Sequence, residues 1–107
     1  MKTIITSRGN KLNSGFELRF GRAAWFCLLD EETGETTFYK NQVTDTMYGA
    51  CPKAADKVVE LGATRVISGD FSPKAKKLLE KFNIQMVQLS EVSKSIKDIV
   101  NTIKLTS

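Results

Sequence analysis

Histidine is absent from this 107-residue sequence. That removes the commonest metal ligand and the commonest general base, so a hydrolytic triad would need an unusual base. Cysteine occurs twice, at Cys27 and Cys51, far apart in the chain. Two such residues make neither a disulfide framework nor a zinc-type spacing. Phosphate-loop and dinucleotide fingerprints are missing: Gly69-Asp70-Phe71-Ser72 lacks the glycines and lysine they require. Long apolar runs are missing too. Residues 1–6 have neither a long apolar region nor a small-residue cleavage site, so no signal peptide and no membrane span are expected. A cytoplasmic protein with reduced thiols is the simplest expectation.

What is present is ordinary in amount. Hydrophobic residues make up 41% and charged residues 26%, a globular balance for a single domain. Residues 1–104 read as that domain, with 105–107 as a short tail. The net charge of +4 and pI near 9.2 are a mild basic excess. It favours anionic partners without choosing between nucleic acid, phosphate and an anionic metal cluster.

One stretch stands out: Ser14 to Asp30, SGFELRFGRAAWFCLLD. A polar loop delivers Arg19 and Arg22 around Phe20-Gly21, then turns into the apolar run Ala23 to Leu29. That run reads as a strand buried on both faces. Guanidinium groups leaving a glycine-bearing turn suit a two-point oxyanion site. The plainer reading is two solvated surface charges.

Taken in order, Thr3–Ser7 is a first strand, followed by a Gly9-Asn10 turn and a polar loop from Lys11 to Glu17. Ala23–Asp30 and Glu35–Lys40 form a hairpin, with Gly34 at its tight turn and the polar third strand at the sheet edge. Asn41 to Tyr48 reads as a loop. A helix opens at Gly49-Ala50-Cys51-Pro52, carries an apolar stripe of Ala54, Ala55, Val58 and Val59, and closes at Gly62. Thr64–Ser68 is a strand. Ser72 and Pro73 cap and start a second helix, with Ala75, Leu78, Leu79 and Phe82 on one face. Its lysines 74, 76, 77 and 81 read as a solvated face, or more sharply as a nucleic-acid stripe. Asn83 is its left-handed stop, and Ile84–Leu89 the last strand. Ser90 caps a last helix carrying Val92, Ile96, Ile99 and Ile103. This order implies an α/β fold with a mixed sheet covered on both faces.

Ligands in open α/β sheets bind where loops leave the carboxyl ends of parallel strands. Those loops are Arg8–Arg22, Gly49–Pro52 and Gly69–Pro73. Two of them enter helices, whose free N–H groups favour anions, and Gly49 and Gly69 would let a ligand approach the backbone. Arg19, Gly21, Arg22, Gly49, Cys51, Gly69, Asp70 and Ser72 are therefore the candidate binding residues. Cys51, at a helix start, has a thiolate favoured by the dipole and is the candidate metal ligand. It also reads as a small, partly buried residue without chemistry. Cys27, inside the apolar strand, reads as core.

The run SRGNKLNSGFELRFGRAAWFCLLDEETGE resembles the opening of the dinitrogenase iron–molybdenum cofactor biosynthesis family. The matching features are Ser7, Gly9 and Asn10, the RFGRA block at Arg19 to Ala23, then Phe26, Asp30 and Gly34. LGATRVISGDFSPKAKKLLEKFNIQMV is similar to a second, looser block, with Gly62, Gly69, Pro73, Ala75 and Leu79 in step. The resemblance spans about Met1 to Lys104. It implies a ribonuclease-H-like three-layer fold, a five-stranded mixed sheet with the second strand antiparallel to the others. It also implies a small, non-enzymatic carrier or accessory protein. Relatives bind iron–molybdenum cofactor, its iron–sulfur precursor or molybdenum–sulfur clusters, and work with cluster-assembly or acceptor proteins. The chain departs from the family in having no histidine near the site and in placing Cys51-Pro52 in the glycine-rich helix entry.

Three functions follow. The first is binding of an anionic metal–sulfur cluster at the arginine rim. The second is a metal-free module for a small anion or a protein partner, using the same pocket without Cys51. The third is a nuclease, which needs clustered carboxylates beginning on the first strand. Met1 to Ser7 contains no acid, so nucleic acid is disfavoured as a partner.

Overall fold

The computed structural model describes residues 1–41, 50–90 and 94–106. Its strands are β1 (Lys2–Ser7), β2 (Trp25–Asp30), β3 (Thr36–Lys40), β4 (Arg65–Ser68) and β5 (Gln85–Gln88). Its helices are α1 (Ala50–Glu60), α2 (Pro73–Lys81) and α3 (Ile96–Thr106), with a 3-10 turn at Phe20–Arg22. The sheet order is β3-β2-β1-β4-β5. β2 pairs antiparallel with both β1 and β3, whereas β1–β4 and β4–β5 are parallel. The expected reversal of the second strand, and the edge position of the polar third, are both present.

The hairpin and helix ends follow from local chemistry. Gly34 turns the β2–β3 hairpin at φ +77°, and its N–H donates to the Asp30 carbonyl at 2.7 Å. An L side chain there would be strained. Asn83, at φ +58°, ends α2 in the left-handed conformation its sequence position implied.

Alternation along β1 and β4 sends neighbouring residues into two cores. Ile4, Phe26 and Val66 pack under α1 and α2 with Ala55, Val58, Ala75 and Leu79. Ile5, Cys27, Leu29 and Ile67 pack under α3 with Ile96, Ile99, Val100 and Ile103. Each fully buried aliphatic or aromatic side chain contributes about 1.5–3 kcal/mol, so both faces are held by the hydrophobic effect. The sheet is therefore the middle of three layers.

Several expectations are corrected. Phe16 lies in the stretch read as a polar loop, yet it is fully buried against α3's core. Val59 and Phe82, expected on the apolar faces of their helices, are exposed at 36% and 45%. Phe82 sits one residue past α2, where the helical stripe no longer aims inward. α3 does not start after Ser90. Its cap is Ser95, whose Oγ accepts from Asp98 N–H at 3.2 Å while Asp98 Oδ2 accepts from Ser95 N–H at 3.1 Å. This reciprocal pair is a capping box with aspartate in the usual glutamate place. Val92 lies outside the described residues. α3 runs to Thr106, so the backbone of Leu105 and Thr106 is helix where a tail was expected.

Candidate functional site

The segment after β1 crosses the carboxyl ends of β1 and β4 and is fastened there. Glu17 N–H donates to the Thr6 carbonyl at 3.0 Å, and Thr6 Oγ1 donates to the Glu17 carbonyl at 2.6 Å. Ser68 Oγ, 3.0 Å from Thr6 Oγ1, donates to the Leu18 carbonyl at 3.3 Å. Thr6 and Ser68 are fully buried, so each hydroxyl needs a partner and the loop's carbonyls supply them. Neither residue stood out in the sequence; their only signal is a small hydroxyl near the end of an apolar strand.

A second set of contacts joins this loop to the segment after β4. Arg19 and Asp70 form a parallel bridge, and Phe20 N–H donates to the Asp70 carbonyl at 3.2 Å. The Phe20 ring lies 5.4 Å from Phe71 and 6.1 Å from Phe26. These aromatic contacts sink the 3-10 turn into the core, so Phe20 and Gly21 are buried while Arg19 and Arg22 stay exposed. From the other side, α3's first turn braces the loop. Ile96 N–H donates to the Ser14 carbonyl at 2.9 Å and Lys97 N–H to that of Leu12 at 2.7 Å.

Strand directions bring the third segment to the same edge. β3 is parallel to β1, so the chain leaves it at the carboxyl rim. There Asn41 is buried, with its side-chain amide donating to the Ala23 carbonyl at 2.9 Å. α1 returns toward the start of β4 and packs on the 3-10 turn. Its first turn, which contains Cys51, therefore begins at the rim that carries Arg19, Arg22 and Asp70. Gly49 lies outside the described residues.

The roles within this rim differ from the expected ones. Gly69 is not an opening for a ligand: a Cβ there would come within 2.6 Å of Leu18 Cδ2 and 2.8 Å of Leu18 Cα. The glycine admits the neighbouring loop. Ser72 caps α2, its Oγ accepting from Ala75 N–H at 3.1 Å. Lys76 N–H goes to the Ser72 carbonyl at 2.9 Å, and Pro73 has no N–H. The end of α2 thus keeps at most the Lys74 amide for an anion. Arg19 is not a bare cation either. Its Nη2 lies 3.7 Å from Glu17 Oε1, and its N–H donates to Glu17 Oε2 at 3.2 Å. Arg19 and Arg22 thus share these loops with two carboxylates, Glu17 and Asp70.

Cys27 is buried in the α3 core, and burial pushes its thiol up to about 12. It stays protonated and inert at neutral pH, in keeping with a core role. Among the described residues, no group of three or more cysteine, aspartate or glutamate side chains could hold a metal ion, and no helix is long and apolar enough to cross a membrane.

A family model described as dinitrogenase iron-molybdenum cofactor matches residues 1–105. No curated protein matches the chain. Among solved structures, the apo form of the orange protein (ORP) from Desulfovibrio gigas is 26% identical, with a TM-score of 0.88 over 95% of this chain and 85% of that one. A putative NifB protein from Thermotoga, attributed to the DUF35 family, is 22% identical, with a TM-score of 0.82 over 97% of this chain and 87% of that one. PH0822 is 17% identical, with a TM-score of 0.81 over 100% of this chain and 93% of that one. The last two likenesses speak for the fold alone.

Proposed function

The chain belongs to the dinitrogenase iron-molybdenum cofactor family, and on that premise we propose that it carries an anionic metal–sulfur cluster on its arginine rim. The family is one of accessory proteins in cofactor biosynthesis. The cargo would be iron–molybdenum cofactor, its precursor, or a related iron–sulfur or molybdenum–sulfur cluster. In this reading no residue is catalytic, and a cluster-assembly or acceptor protein exchanges the cargo. The strand order with β2 reversed supports a ribonuclease-H-like description of the scaffold.

The observation that carries the reading is the convergence on one rim of the Arg19–Arg22 turn, the Asp70 segment and the start of α1. Exposed guanidinium groups on a backbone fixed at both ends offer directed donors to an anion's outer atoms. That Cys51 belongs to the first turn of α1 supports a ligand role, because a helix dipole favours thiolate at such a position. A relative 26% identical over 95% of the chain was solved in a form described as apo.

The test is anaerobic reconstitution with iron–sulfur or thiomolybdate species, followed by absorption spectroscopy. A stoichiometric charge-transfer band is expected, and its absence would count against the proposal. Binding that survives Cys51→Ala but not Arg19→Ala would move the reading to a metal-free anion module.

A further inference from the structure

The carboxylate beneath Arg19 has a role that the cluster reading does not use. Glu17 belongs to the buried part of the rim: its side chain is 11% exposed, against 68% for Arg19. Its own peptide is fixed to β1 on both sides, through the Thr6 carbonyl at 3.0 Å and the Thr6 hydroxyl at 2.6 Å. One carboxylate oxygen accepts the Arg19 amide at 3.2 Å, and the other faces the guanidinium at 3.7 Å. The two partners are unequal. The Glu17 backbone is anchored to the sheet and its carboxylate is largely covered and held by the Arg19 amide, whereas Arg19 is a long exposed side chain that can lean outward. A buried carboxylate needs a nearby cation. An anion arriving at the outer edge of Arg19 therefore meets a guanidinium that already faces a largely covered negative charge.

We propose that Glu17 is the built-in counter-charge of the rim, a specificity-determining residue that holds down the grip of Arg19 on anionic cargo and keeps that cargo exchangeable. The proposal rests on the cluster-carrier reading for the nature of the cargo. Asp70, exposed beside Arg19, adds a second negative charge but is solvated and better screened. Arg22, the last residue of the same turn, is also exposed. A carrier has to release what it holds, and a compensated arginine binds an anion less tightly than a bare one.

The variant Glu17→Gln keeps the side-chain shape and an oxygen for the Arg19 amide while removing the charge. Anaerobic titration with thiomolybdate is expected to show the variant binding on the order of tenfold tighter at low salt, because a like charge within about 7 Å of the anion has been removed. Added salt should shrink the gain. Glu17→Asp keeps the charge but shortens the reach, and should show no gain. A merely structural role for Glu17 would instead make both variants bind equally or more weakly, and that result overturns the proposal. If the wild type binds no thiomolybdate, the cluster-carrier reading falls. Binding gained in Glu17→Gln would then still support the counter-charge, and no gain would overturn it. Should Glu17→Gln fail to fold, carbon-13 NMR of the wild-type Glu17 carboxyl decides. Its resonance is expected to move as thiomolybdate draws Arg19 outward, and a fixed resonance overturns the proposal.

Discussion

Gly69 and Leu18 approach so closely that a Cβ on the glycine would lie 2.8 Å from the Leu18 Cα. Backbone, not a flexible side-chain tip, stands in the way. Gly69→Ala must therefore push the Arg19 loop off the end of β4 and strain the bond from Ser68 Oγ to the Leu18 carbonyl. A destabilisation of about 1–3 kcal/mol is expected, the usual cost of overpacking. Urea unfolding measures it, and a variant as stable as the wild type would show that the loop is not pinned there. Because the same shift moves Arg19, anion uptake should weaken in parallel.

The two thiols should behave differently. With its thiol pushed up to about 12 and its side chain in the α3 core, Cys27 is expected to resist alkylation in the native protein at neutral pH and to react only on unfolding. Mass spectrometry after a short iodoacetamide pulse reads this directly, and rapid native labelling of Cys27 would contradict the burial. By the proposed ligand role, Cys51→Ser should weaken cluster uptake more than Cys27→Ser. Equal effects would remove Cys51 from the site.

At the opposite, amino-terminal edge of the sheet, Arg65 Nη2 pairs with Glu31 Oε1 at 2.8 Å. Thr3 Oγ1 donates to Glu31 Oε2 at 2.9 Å and accepts from Arg65 Nε at 3.1 Å. Both charged side chains are largely covered, at 21% and 15% exposed. Arg65→Ala would leave the Glu31 carboxylate without its cation, at an expected cost of about 2 kcal/mol, below the range for a fully buried pair. Denaturation should show that loss while thiomolybdate binding stays unchanged. A binding defect would mean that the two rims are coupled.

Asp98 sets an acid limit on the brace behind the loop. The Ser95 backbone N–H, then the Ser95 hydroxyl, hold its carboxyl below the usual carboxylate range, with Lys94 and Lys97 adding to the effect. The folded pKa is below the unfolded one, so this stabilisation is present above the unfolded value, near pH 4, and is lost as pH falls through the folded value. Asp98→Asn should therefore lower the urea midpoint at neutral pH, and the difference from wild type should vanish well below pH 4. A difference that persists in acid would show that the carboxylate charge is not involved.

Local signals served the scaffold well. Ser72-Pro73 before a helical stripe, Gly34 in a short turn and Asn83 after α2 each declare a backbone conformation on chemical grounds, and each is found there. The reversal of β2 follows from a two-strand hairpin ahead of alternating helices and strands. What remained hidden depends on contacts distant in sequence. Phe16 is buried only because α3 docks on the loop that carries it. Ser95 rather than Ser90 caps α3 because Leu12 and Ser14 meet its first amides. Gly69 looked like room for a ligand because a sequence shows a missing side chain but not what occupies its place. The Glu17–Arg19 pair sits two residues apart in plain view, yet only the burial of Glu17 turns it from two surface charges into a constraint.

The most direct measurement is the anaerobic thiomolybdate affinity of the Arg19→Gln/Arg22→Gln double variant beside that of the wild type. Loss of two charged donors from the rim is expected to weaken binding about tenfold or more, with the fold intact by circular dichroism. Equal affinity in the two proteins would contradict an anion held at this rim.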